Sequence, residues 1–122
     1  LAEWYTSDAG YEPGTVLVFG GNAETTVTNI FGDTRVAGVV STDPAYTMNA
    51  HLQEQGTAVC IALQGRVPTK VKGPIKRGEM VVATSDGMAR AESQPKVGTV
   101  LGKALQDFDG TEGIIEVVIG RT

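Results

Sequence analysis

Short runs of valine, isoleucine and threonine, each closed by a glycine- or proline-bearing turn, recur along this chain. Thr15–Phe19 (TVLVF), Arg35–Ser41 (RVAGVVS), Val59–Leu63 (VCIAL), Met80–Thr84 (MVVAT) and Ile114–Ile119 (IIEVVI) are all of strand length. Runs this short, bounded by Gly and Pro, read as strands rather than helices. Val67, Thr69 and Val71 alternate with Pro68, Lys70 and Lys72, giving one apolar face and one wet face. Asp86-Gly87 is a tight-turn signal of the type I′ kind, because such turns need positive φ and Gly supplies it without steric cost. Glycine makes up 16 of the 122 residues, well above the usual share of about 7%. The expectation is one all-β domain of roughly ten short strands, sandwich- or barrel-like.

A chain of this length forms one domain and can bury a real core. The formal net charge of −4 argues against nucleic acid, whose recognition needs a basic surface. The basic stretch from Arg66 to Arg77 alternates with valines, so it reads as the solvated face of a strand. One cysteine excludes an internal disulfide, and Cys60, inside an apolar run, reads as a small core residue. One histidine and one cysteine cannot build a zinc site within one chain, and no cofactor motif is present. No apolar run is long enough to span a membrane as a helix. Leu1 is not a natural start, so the chain reads as cut from a larger protein.

Residues 1–10 are short and mixed and read as a leader; residues 11–122 read as the β domain. Glu24–Asn29 reads as a polar edge strand, and Ile30-Phe31 as closing onto the core. Thr42–Gly56 has no strand signature and reads as a loop with one helical turn near Asn49–Gln55, a place where binding groups often sit. Gly98 and Gly102 suggest a bulge or a close backbone approach. Glu116 interrupts an apolar run and is expected to point outward.

The two halves echo each other. Pro13-Gly14-Thr15-Val16-Leu17-Val18 resembles Arg77-Gly78-Glu79-Met80-Val81-Val82, and Arg35-Val36-Ala37-Gly38-Val39-Val40 resembles Lys96-Val97-Gly98-Thr99-Val100-Leu101. The offsets are 64 (78 − 14) and 61 (97 − 36). Either a β-unit has been duplicated and its copies pack together, or Gly and Val recur by chance as they do in any β protein.

Candidate chemistry is sparse. There is no Ser-His-Asp constellation and no P-loop or dinucleotide fingerprint. Glu3, Asp8 and Glu12 lie close in sequence, and paired carboxylates do acid–base work where burial separates their pKa values. The residues alone favour solvated carboxylates on a leader. Tyr46, Asn49, His51 and Glu54 either line a pocket or decorate a surface loop. In an oligomer His51 would be a group that symmetry mates can share.

Leu1-Ala2-Glu3, Tyr11 to Val16, Arg35 to Ser41, Pro44-Ala45-Tyr46 with Met48-Asn49, Gly65 to Pro68, Gly73-Pro74-Ile75, Gly78-Glu79, Gly102 to Leu105 and Ile115 to Val118 together resemble the C-terminal domain of bacteriophage tail-fibre and pre-neck-appendage proteins. That family is a self-cleaving maturation group of glutamic type. The resemblance covers nearly the whole chain. It implies a β-rich homotrimerisation module that acts as an intramolecular chaperone for the upstream fibre shaft, found in the virion or, during assembly, in the host cytoplasm. It also implies, at most, a single-turnover autoprotease that is inert once released. The family pattern around the cut resembles Ser-Asp-x-Ala-Glu. Leu1-Ala2-Glu3 matches its last three positions, which makes Glu3 the candidate acid; the Ser-Asp pair would lie upstream of Leu1. Two rival readings stand beside it. One is a receptor- or glycan-binding tip with Trp4, Tyr5, Tyr11 and Tyr46 as an aromatic platform. The other is a structural domain of a bacterial surface protein without proteolysis.

Overall fold

The computed structural model describes residues 1–41, 47–48 and 57–120, with Thr47–Met48 in backbone only. Its strands are β1 (Ala2–Thr6), β2 (Val16–Phe19), β3 (Thr25–Thr26), β4 (Val36–Val40), β5 (Thr47–Met48), β6 (Ala58–Ala62), β7 (Gly65–Lys72), β8 (Met80–Thr84), β9 (Met88–Ala91), β10 (Val100–Ala104) and β11 (Glu112–Ile119). The fold is therefore all-β, as the runs of Val, Ile and Thr require. Two bodies result: a six-stranded sheet in the order β3-β2-β4-β6-β1-β5, and a closed barrel in the order β10-β11-β7-β9-β8. The barrel's longest seam is β7 against β11, antiparallel from Glu112↔Lys72 to Ile119↔Gly65.

The expected alternation in β7 is present. Val67, Thr69 and Val71 are buried, while Arg66 and Pro68 are exposed and Lys70 and Lys72 half-buried. Asp86-Gly87 turns β8 into β9 with both residues at positive φ (64° and 68°). Thr84 pairs with Met88, so the loop holds three residues rather than the two of a type I′ turn. Residues 1–10, read from the sequence as a leader, contain β1, which pairs along its whole length with β6. Trp4, Tyr5 and Thr6 are strong β-formers, and they supply the reason. Phe31, expected to close onto the core, stays about half exposed (47%), with the Arg90 guanidinium 5.1 Å above its ring.

The internal repeat is real at the level of hydrogen-bonded topology. In the sheet β2 lies between β3 and β4, β4 continues to β6 and β6 to β1; in the barrel β8 lies between β9 and β10, β10 continues to β11 and β11 to β7. The parallel bridge Ser7↔Thr25 matches the parallel pair Val71↔Ala89, 64 residues on at both positions (71 − 7 and 89 − 25). The first unit's sheet thus carries an isolated bridge where the barrel has its closing β7–β9 pair. The bulges coincide as well. Val18↔Val36 and Leu17↔Gly38 leave Ala37 unpaired, and Val82↔Val100 and Val81↔Gly102 leave Leu101 unpaired. Val36 therefore corresponds to Val100, not to Val97 as the matching of basic residues suggested, and the second offset is 64 rather than 61. A Cβ on Gly38 would lie 2.3 Å from the Ala62 carbonyl oxygen, and one on Gly102 2.0 Å from that of Val118. Both bulges thus bring two backbones into a contact only glycine permits.

The units share one core. Val16, Val39 and Ala62 of the first lie in the same buried cluster as Val67, Val71, Val81, Ala89, Ile115 and Val117 of the second. Leu17, Val40, Val59 and Ile61, flanked by Tyr5, Tyr11 and Leu63, fill the first unit's interior. Each buried Val, Leu or Ile contributes about 1.5–3 kcal/mol over its exposed state. β7 and β9 pair at only one position, so the lower edge of β7 is open. The first unit fills that opening, where the Lys70 N–H donates to the Gly14 carbonyl (2.9 Å), and a second contact joins the units at β8, where the Gly32 N–H donates to the Ala83 carbonyl (2.8 Å).

Candidate functional site

Glu3 sits in the middle of three strands. Its backbone is opposite Ile61 of β6 and beside Met48 of β5, and that parallel pairing is all that β5 contributes here. Side chains two apart on a strand share a face. Glu3 and Tyr5 obey this, with the Tyr5 hydroxyl donating to Glu3 Oε2 at 2.6 Å. Tyr5 also meets Phe19 edge to face, with ring centroids 5.3 Å apart, and packs on the first unit's core. Burial first, then the Glu3 hydrogen bond and the negative charges of Glu3 and Glu24, push the Tyr5 pKa up to about 12. At neutral pH the phenol keeps its proton and holds one carboxylate oxygen of Glu3 in place.

The two other acids of the opening segment do separate work. Asp8 accepts from the Tyr11 hydroxyl (2.6 Å) and the Thr26 hydroxyl (2.7 Å), and the Tyr11 bond first, then that of Thr26, holds its carboxyl below the usual range. Glu12 pairs with Lys70 across the contact between the units. Glu24, not singled out from the sequence, caps the end of β1: its Oε1 accepts from the Thr6 N–H (2.9 Å) and the Thr6 hydroxyl (3.1 Å). Reading Ala2–Thr6 as a strand would have revealed the Glu3–Tyr5 pair from spacing alone. Nothing in spacing announces Glu24 and Thr6, which lie 18 residues apart.

Asp33 is the most enclosed carboxylate described, with its side chain 4% exposed. The Arg35 guanidinium, with the Thr28 hydroxyl and the Arg35 N–H behind it, holds its carboxyl well below the usual carboxylate range. All its partners are internal, so it is a loop anchor. Cys60 is buried, and burial pushes its thiol pKa up, which makes it an inert core thiol. Among the described residues, no group of three or more His, Cys, Asp or Glu is arranged to hold a metal ion.

Tyr46, Asn49 and His51, the expected binding loop, lie outside the described residues, as does Glu54. The aromatic platform does not form from the residues that are described. Trp4 and Tyr5 are neighbours on one strand and so face opposite ways, and Tyr5 and Tyr11 both pack on the core with their hydroxyls tied to Glu3 and Asp8.

No family model matches the chain, and no curated protein matches it by sequence. Among solved structures, the chain is similar to the C-terminal fragment of gene product 12 of bacteriophage phi29. The TM-score is 0.74 at 11% sequence identity, over 98% of this chain and 99% of that one. At this identity the likeness is one of fold, and it extends over both units and the contact between them.

Proposed function

We propose that this chain is a C-terminal assembly module of a phage fibre or appendage, acting as a trimer that brings upstream shafts into register and is released by a cut just before Leu1. The observation that carries the reading is the end-to-end structural likeness to the phi29 fragment. Physical logic supports it. Thin shafts have few local contacts, so registering three chains is costly in entropy. A compact domain that associates first raises the effective concentration of the neighbouring chains.

For the cut, Glu3 is the acid. A water molecule adds to the carbonyl carbon of the residue before Leu1 and gives its proton to the Glu3 carboxylate. The C–N bond then breaks, and the proton passes to the departing Leu1 amine. Tyr5 positions Glu3 through its hydrogen bond. Tethering supplies high effective molarity, so no substrate pocket is needed. The reaction runs once, after which the separated chain is inert.

The test is intact-mass analysis of the longer parent protein beside its Glu3→Gln variant. Two fragments split immediately before Leu1 in the parent, with the variant whole, are expected. If both stay intact the peptidase reading falls and a purely structural role remains. If both split, Glu3 is removed from the chemistry.

A further inference from the structure

The contact between the two units is between unlike faces. The first unit presents its Gly14–Val16 edge with Val39 and Ala62, and the second receives it at the open edge of β7. Because the units are copies, each also carries the face that the other uses. The second unit's presenting face is Gly78–Met80 with Lys103 and Val118, 64 residues on up to β10 and 56 on at β11 (118 − 62). The first unit's receiving face is the Thr6 end of β1.

Among the described residues the presenting face is open to solvent, and at the receiving end the Thr6 N–H that would take a backbone carbonyl is held by the exposed Glu24 carboxylate. Gly14, Thr15, Val16, Val39 and Ala62 are all buried, whereas Gly78 and Lys103 are exposed and Glu79, Met80 and Val118 are half-buried. A groove of about 280 Å³ lies there, lined by Gly78, Glu79, Met80, Glu92, Ser93 and Lys103. On the opposite face Phe19 is 41% exposed, where its counterpart Ala83 is fully buried.

Charge completes the match. Inside the chain, Glu12 of the presenting edge pairs with Lys70 of the receiving strand. The counterpart of Glu12 is Lys76, which is exposed. The counterpart of Lys70 is Thr6, whose N–H and hydroxyl hold the Glu24 carboxylate. The acid of the presenting edge has become a base, and the base of the receiving edge has become a threonine that holds an acid, Glu24. The pair is complementary again with its polarity reversed.

We infer that a second copy of this chain docks head to tail on these two faces, with Lys76 of one copy against Glu24 of the next. This rests on the assembly reading and names its surface. A head-to-tail contact leaves one free face of each kind on every copy, so it propagates until a ring closes. In a trimer that ring alternates three contacts within chains with three between them. Reversed polarity keeps the two kinds from exchanging, since a wrong pairing sets like charges together.

Sedimentation velocity of the 122-residue chain tests this with four proteins: wild type, Lys76→Glu, Glu24→Lys and the double variant. Each single variant is expected to weaken association by about tenfold or more, with the double restoring it. Lys76 is exposed, so Lys76→Glu keeps the test valid even if Glu24→Lys disturbs β1; melting curves of each variant check this. Single variants that associate as the wild type does, or a wild type that stays monomeric, overturn the inference. In the first case the assembly reading survives with another surface. In the second, the oligomeric state of the longer parent decides whether that reading falls too.

Discussion

Tyr5 shows how one side chain links core, charge and chemistry. Its ring belongs to the first unit's core, and its hydroxyl is tied to Glu3. An unfolded tyrosine ionises near pH 10, whereas Tyr5 holds its proton to about pH 12. Between those values the unfolded chain binds fewer protons than the native one. Stability contributed by neutral Tyr5 is therefore intact below pH 10 and falls as pH rises toward 12. Tyr5→Phe is expected to flatten this alkaline arm in a plot of Tm against pH, and to remove the latest step of the phenolate absorbance titration. Under the proposed mechanism the same variant in a longer parent is expected to slow the cut without abolishing it, since Phe keeps the packing and loses the hydroxyl bonded to Glu3. An unchanged alkaline arm would mean that the phenol is solvated and its bond to Glu3 contributes nothing to stability.

At the scale of elements, the bulged strands β4 and β10 decide the geometry. In each, one unpaired residue kinks the strand, and the glycine that follows lets the next strand come close. Gly102→Ala would drive a methyl group into the Val118 carbonyl, where backbone cannot yield as a flexible side chain would. A loss of about 2–4 kcal/mol in urea unfolding is expected. Gly10→Ala, with nothing within 4 Å, should change stability by about 0.5 kcal/mol or less. Equal effects at the two sites would show that the close approach does not matter to stability. Gly102 was legible in the sequence, because Gly weakens a Val-rich strand unless a bulge or a neighbouring backbone requires it; Gly98, read the same way, is a positive-φ residue (86°) with nothing within 4 Å, and Gly38 was not singled out. The strand runs and the wet face of β7 were legible for the same local reason. The register of the repeat was not. Lys96-Val97 imitates Arg35-Val36 in sequence, but the position of the bulge sets the true alignment at Val100. β1 was hidden by Glu3, whose charge breaks the apolar pattern, and with it went the Glu3–Tyr5 pair. Glu24 on Thr6 and Glu12 on Lys70 needed the tertiary fold, because no local rule joins residues so far apart.

The molecule as a whole has two units joined by one shared buried cluster, with a smaller cluster inside the first unit. Val16, Val39 and Ala62 complete the packing of a barrel built from other residues. The units should therefore unfold together. Trp4, the only tryptophan, reports on the first unit, while far-ultraviolet circular dichroism reports on both. Coincident transitions by the two probes are expected; a fluorescence change at lower urea than the dichroism change would show that the first unit stands alone. The shared core also bears on synthesis. β11 joins β10 to β7, so the barrel cannot close until Glu112–Ile119 has been made. At about 5–20 residues per second, a ribosome that has finished the first unit needs several seconds more to supply that strand. Until then Val16, Val39 and Ala62 face water. A nascent chain interrupted before Glu112 therefore displays them as a hydrophobic flag that the finished fold hides.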